Sequence, residues 1–282
     1  MKLDNGIISV EISDHGAELK SAVKNGREYM WCGDGAYWAR TSPVLFPIVG
    51  SLKDKKYRVG DKEYGMNQHG FARDRDFELV ESNECSATYI LKSDEDTLLI
   101  YPFEFTLTIK YTIIGSTIRV NWIVKNQGDK TMSFAIGAHP GFNLKKGENY
   151  FKFDNTGKIS YNLIDETGLY DASRVGYIET DEGYVKIEHE MFDNDALIIE
   201  NRQAKEVSLC DGEKKPYVTV KFSSPLFGIW TPPKKNAPFM CIEPWYGRCD
   251  RNDFAGDISE RDYENNIQAG ESFEAEYEIE LA

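Results

Sequence analysis

Apolar and polar residues alternate with a period of two along much of this chain. From 103 to 113 every odd position is apolar or aromatic (Phe103, Phe105, Leu107, Ile109, Tyr111, Ile113), while Glu104, Thr106, Thr108, Lys110 and Thr112 fill the even ones. Successive side chains of a strand point to opposite faces, so this run predicts a long strand with one face buried. Gly115-Ser116 turns the chain, and Ile118, Val120, Trp122 and Val124 alternate in the next run, which ends at Asn126-Gln127-Gly128-Asp129. Together the two runs predict a β-hairpin with a short loop. The last residues repeat the pattern, with Phe273, Ala275, Tyr277, Ile279 and Leu281 on one face and Glu274, Glu276, Glu278 and Glu280 on the other. Glutamates along one strand face predict either a solvated surface or an edge guarded against aggregation. Shorter strand candidates fall at 6–12, 18–24, 77–82, 86–93, 131–136, 184–188, 217–222 and 239–242. A helical period is weak: a short helix or 3₁₀ turn fits near 250–254 or 258–264, neither with an apolar stripe. No repeat, low-complexity segment or Pro/Ser-rich linker divides the chain. The expectation is one all-β domain over 1–282, a large sandwich of antiparallel sheets.

Length and composition narrow the function. A chain of 282 residues buries a sizeable core without disulfide or metal staples. Aromatic residues make up 13%, which suits strands and also a sugar site lined by flat rings. A net charge of −14 argues against nucleic acid and against an anionic membrane surface. A neutral ligand fits such a chain; a phosphorylated one requires a local cluster of Arg or Lys. The 5 cysteines are odd in number and none form a C-x-x-C pair, so neither a disulfide framework nor a structural zinc site is expected. The start lacks a signal-peptide apolar stretch, and no window approaches the 18 apolar residues of a spanning helix. A cytoplasmic protein with reduced thiols is expected.

With only 4 histidines, each can be weighed in turn. His69 (Asn67-Gln68-His69-Gly70-Phe71) and His139 (Gly137-Ala138-His139-Pro140-Gly141) sit among small residues and turn formers, a setting that places a side chain at a loop mouth or serves structure alone. His15 reads as part of a turn, and His189, between Glu188 and Glu190, reads as a solvated face. Glu243 ends an apolar strand and precedes Pro244 and Trp245. Such a carboxylate is either paired with Arg for structure or held in a dry pocket, where burial raises its pKa and makes it a usable base. Arg40 opens a proline-interrupted apolar run and reads as an ion pair or a fixed cation in a polar site. Asp193 and Asp195 precede another apolar run, as turn formers or site carboxylates. There is no G-x-S-x-G elbow, H-E-x-x-H, Walker loop or G-x-G-x-x-G, so no cofactor is expected. A metal site would need ligands distant in sequence.

Six segments, 40–50, 67–77, 101–105, 137–142, 192–198 and 237–245, follow the order found in the aldose 1-epimerase (galactose mutarotase-like) family, and the chain most resembles its LacX-like branch. The resemblance covers nearly the whole sequence. It implies a β-supersandwich with a sugar cleft on one sheet face. It also implies Glu243 as general base, His139 as general acid, and His69 as a second histidine near the sugar ring oxygen. Arg40, Asp195 and Trp245 become expected sugar contacts, with Asp193 competing for the place of Asp195. The implied reaction is interconversion of the α- and β-anomers of an aldohexose. Glu243 is expected to stay mostly ionised, because Arg40 or a charged His69 would offset its desolvation. Two alternatives stay open. One is a hexose-6-phosphate mutarotase, with Arg73 and Arg75 as a phosphate clamp unless they bridge to Asp74 and Asp76. The other is a non-catalytic sugar-binding or sensing module. The oligomeric state is left open.

Overall fold

A computed structural model describes all 282 residues. Two large antiparallel sheets dominate it. The nine-stranded sheet runs in the order Tyr184–Lys186, Tyr150–Phe153, Glu206–Cys210, Pro216–Phe222, Ser272–Leu281, Thr117–Asn126, Phe105–Ile114, Ser86–Lys92, Glu78–Ser82. The alternating runs form its centre: Phe105–Ile114 pairs with Thr117–Asn126, and that strand pairs with Ser272–Leu281. Leu107, Ile109, Val120, Trp122, Tyr277 and Ile279 point into one core of 60 buried residues. The glutamate-bearing strand is therefore central, not an edge. Its polar face is solvated and carries cross-strand pairs, Glu278 with Arg119 and Glu280 with Lys221, each at 2.7 Å.

The eight-stranded sheet runs Tyr170–Glu179, Lys158–Ile164, Leu197–Ile199, Leu226–Trp230, Phe239–Tyr246, Ile136–Ala138, Val44–Leu45, with Gly141–Asn143 also paired to Phe239–Tyr246. Leu197, Ile199, Phe227, Ile229, Met240 and Ile242 join the core that the nine-stranded sheet fills from its side. Alternation then sends Ile198, Trp230, Glu243 and Trp245 to the opposite face, where they line a pocket. A four-stranded sheet at the N-terminus, Lys2–Asp4 through Arg27–Glu28, and two short two-stranded pairs complete the strands.

Helix is scarce. The Glu95–Ile100 helix, not anticipated from periodicity, starts at a capping box in which Asp94 accepts from the Thr97 N–H and Thr97 Oγ1 accepts from the Asp94 N–H. A 3₁₀ turn at Ile258–Glu260 falls within one of the two expected places; residues 250–254 form no helix. No helix is long and apolar enough to cross a membrane.

Candidate active site

The Phe239–Tyr246 strand supplies the floor of the site. On its left it pairs with Leu226–Trp230, placing Gly228 opposite Glu243 and Leu226 opposite Trp245. On its other side Gly137 opposes Trp245 and Gly141 opposes Cys241. Extending that register inward from both ends sets Ala138 against Pro244 and His139 against Glu243. Pro140 and Pro244 both lie in this stretch, and neither can donate a ladder hydrogen bond, so pairing lapses there. Opposed residues of an antiparallel pair share a face. His139 Nε2 accordingly stands 3.3 Å from Glu243 Oε2, both side chains being nearly buried. The Trp245 indole lies across the neighbouring strands because both carry glycine beneath it. A Cβ on Gly137 would come within 2.7 Å of the ring, and one on Gly228 within 2.6 Å.

Around this pair is a cavity of about 250 Å³. His69 enters from the 67–70 turn at a left-handed φ of 67°. Its N–H donates to the Gly50 carbonyl at 2.9 Å, and its Nδ1 accepts from the Gly50 N–H at 3.1 Å. A ring nitrogen that accepts is unprotonated, so the neutral ring carries its proton on Nε2. Trp38 stacks on His139 with ring centroids 4.7 Å apart; Trp230 and His69 meet the same imidazole edge-on. Arg73 lines another wall, anchored through Nη2 to the Gln68 carbonyl at 2.8 Å. Asp195 reaches the pocket from the loop before Leu197–Ile199. Four polar atoms of the lining, Glu243 Oε1, His139 Nδ1, Trp245 Nε1 and Arg73 Nε, have no hydrogen-bond partner in the protein. Buried polar groups are normally satisfied, so a cluster of orphans marks a place for a polar ligand.

Burial first, then the Asp195 charge, pushes the Glu243 carboxyl well above the usual carboxylate range. The Trp245 indole N–H opposes this from nearby but completes no hydrogen bond. Burial, with the Arg73 and Arg40 charges behind it, pushes His139 down to about 3 against the weaker opposing pull of its own backbone carbonyl. His69 is held well below its ordinary value by burial, then by His139 and the two arginines. The expectation of a largely ionised Glu243 is thus corrected. His69 is neutral, Arg40 is engaged with Asp74 at 2.8 Å, and no cation offsets the desolvation. Between these two groups the proton rests on the carboxyl, because two neutral partners cost least in a dry site.

Among the residues singled out in the sequence, Glu243, His139, His69, Asp195, Trp245 and Arg73 line this one pocket. Arg40 does not; it stands behind Arg73, half-buried, in its ion pair with Asp74. Asp193 points into an outer groove, and Asp195 alone reaches the inner cavity. The Arg73 and Arg75 clamp is divided, since Arg75 turns to Asp94 and Asp96 at 3.7 and 3.9 Å. Trp38 and Trp230 had no distinguishing signal, because a lone aromatic in a strand-rich chain reads as core. The sequence-distant donor set that periodicity could not reveal is also here: His139, Cys241 and Glu243 place their ligating atoms within 4.8 Å of one another.

The fold has known counterparts. A galactose mutarotase related enzyme from Lactobacillus acidophilus superposes with a TM-score of 0.95 at 35% identity, over 100% of this chain and 97% of that one. A galactose mutarotase-like protein from Lactobacillus casei gives a TM-score of 0.93 at 27% identity, over 100% and 99%. The LacX protein of Lactococcus lactis subsp. lactis is 33% identical over 263 residues, 88% of this chain and 87% of its own. The family model for aldose 1-epimerase matches residues 1–280. The β-sandwich, the pocket on its sheet face and these matches agree: the chain belongs to the aldose 1-epimerase family of isomerases.

Proposed function

We propose that this protein, as a single 282-residue domain, interconverts the α- and β-anomers of an unphosphorylated aldohexose by general acid/base catalysis. The observation that carries the reading is the 3.3 Å approach of His139 to Glu243 at the floor of a sugar-sized cavity. The anomeric hydroxyl and the ring oxygen share one carbon, so the base and the acid that serve them must be near neighbours. The pair holds one proton. Its transfer from Glu243 to His139 produces a carboxylate and an imidazolium without exchange with solvent. Glu243 then takes the anomeric hydroxyl proton while His139 protonates the ring oxygen, and the bond from C1 to that oxygen breaks. The open-chain aldehyde rotates about C1–C2 and recloses with both transfers reversed. Each such transfer contributes ~10²–10⁴-fold.

The remaining residues bind and orient. His69 offers its Nε2–H to the ring oxygen or a neighbouring hydroxyl, Arg73 donates to hydroxyl oxygens, and Asp195 accepts from hydroxyl protons. Trp38, Trp230 and Trp245 give flat apolar surfaces for the C–H faces of the ring. A net charge of −14 suits a small neutral ligand rather than nucleic acid, and the free cysteines suit a reducing cytoplasm. Arg73, with an unpartnered Nε and Arg40 behind it, is what favours the second reading, a hexose 6-phosphate. Polarimetry on freshly dissolved α-glucose, α-galactose and glucose 6-phosphate separates the readings. Faster equilibration of a free hexose is expected. Acceleration confined to the phosphate would select the second reading, and no acceleration of any of them would remove the enzyme reading.

A further inference from the structure

His139, Cys241 and Glu243 lie on one face of the eight-stranded sheet, His139 in the break between Ile136–Ala138 and Gly141–Asn143. Cys241 and Glu243 are two residues apart on Phe239–Tyr246, and His139 stands across from Glu243. All three are buried. No other group of His, Cys, Asp and Glu in the molecule brings three donor atoms within 4.8 Å of one another. We propose that this trio is a binding site for a borderline-soft divalent cation of the zinc type, and that an ion bound there blocks the sugar site.

The donor chemistry selects the ion. One thiolate, one imidazole and one carboxylate are the ligand types of zinc, whereas calcium and magnesium require a shell of oxygens. Three protein ligands with a fourth position facing a cavity is the arrangement of an open zinc site. With bonds of ~2.0–2.3 Å, tetrahedral ligand atoms stand roughly 3.3–3.8 Å apart. The trio therefore has to draw in by about 1 Å. Glu243 breaks no hydrogen bond at Oε1 in drawing in, because that oxygen has no partner in the protein.

Charge also balances. As the cation enters, the Cys241 thiol and the Glu243 carboxyl each release a proton to solvent, and His139 binds as the neutral ring. Ion and ligands are then neutral together, so no uncompensated charge is buried. The consequence for activity rests on the mutarotase reading: the ion occupies the base and the acid at once. The site itself does not rest on that reading. None of the assigned sugar contacts is Cys241, which lies beneath the pocket among Trp31, Ala237 and Phe239.

Cobalt(II) titrated into chelator-treated protein, with no sugar present, tests the site by spectroscopy alone. A thiolate-to-cobalt charge-transfer band with four-coordinate visible bands is expected, saturating at one equivalent and displaced by zinc. The C241S variant should lose the band. Its zinc affinity should fall by at least the ~10–100-fold lost when a mere outer partner of a metal site is removed. Anomer interconversion by the wild type should fall with zinc occupancy and return with EDTA. A protein that shows the band but no interconversion would sink the mutarotase reading and leave the site standing. Absence of the band in the wild type overturns the proposal, even if zinc inhibits. So does zinc binding by folded C241S at wild-type affinity.

Discussion

Glu243 and His139 are withheld from water by the same strand pair that brings them together, and their chemistry follows from that. Burial raises the carboxyl and lowers the imidazole, so Glu243 holds the proton of the pair, and its passage to His139 has to be driven by the sugar hydrogen-bonding to the carboxylate that forms. Replacing Glu243 with Gln keeps the shape and neutrality of the protonated carboxyl and abolishes the base. The expected loss in kcat is ~10²-fold or more with the melting transition intact. His139→Asn should lose a similar factor, and the double variant far less than the product, because the two groups act in one concerted path. Anomer-exchange NMR measures all three. Near wild-type exchange by E243Q would remove Glu243 from the role of base, and an unfolded E243Q would assign it to structure instead. At this scale much was readable in advance. An apolar run ending in Glu-Pro-Trp is an uncommon place for a carboxylate, and histidines framed by glycine stand out among so few. What was not readable was which cation points inward. Arg40 and Arg73 each adjoin polar neighbours, and only the folded loops decide that Asp74 holds Arg40 at the rim while Arg73 enters the cavity.

Strands place these side chains, and the eight-stranded sheet was the less legible of the two. The long alternating runs of the nine-stranded sheet carry a clear period because one face is wet. Leu197–Ile199 and Ile136–Ala138 are buried on both faces, so they show only short apolar stretches. The expected end at Ile242 also failed, since Phe239–Tyr246 runs on through Pro244, opposite Ala138, where pairing with the facing strand lapses and no ladder bond is required. The orientation of Trp245 depends on this sheet. Gly228 has an ordinary strand backbone, so Gly228→Ala strains no dihedral, yet its methyl meets the indole at 2.6 Å. Overpacking of this kind costs about 1–3 kcal/mol. Gly228→Ala should therefore lower stability by that amount in urea unfolding. It should also raise the KM for the sugar more than it lowers kcat, because the ring that moves is a binding surface. Unchanged stability and KM would show that the indole relaxes freely and is not held by the glycine slots.

Across the whole molecule, the pocket is tied to the rest of the fold by a buried ionic network. Arg261 donates to Asp250 at 2.6 Å and to Glu264 at 2.7 Å, while Arg248 donates to Glu200 and Asp262. Asp250 in turn accepts from the Lys53 N–H and its own N–H donates to the Ser51 carbonyl. The network thereby fixes the 50–53 loop, whose Gly50 holds the His69 ring. Two carboxylates share the single guanidinium of Arg261, and burial wins over the Arg261 charge at Glu264, lifting its carboxyl to about 7. Its side chain is 1% exposed, so solvent does not screen the effect. An unfolded glutamate titrates near 4.3. Between that value and 7 the folded chain therefore binds more protons than the unfolded one, and stability falls as pH rises through this window. The loss amounts to roughly 3–4 kcal/mol once Glu264 is fully ionised. Gln in its place still accepts from Arg261 and cannot titrate. Glu264→Gln should match the wild type near pH 4.5 and become progressively more stable than it up to pH 8, as read from urea midpoints at several pH values. A stability difference that does not change with pH would mean that Arg261 keeps Glu264 ionised throughout.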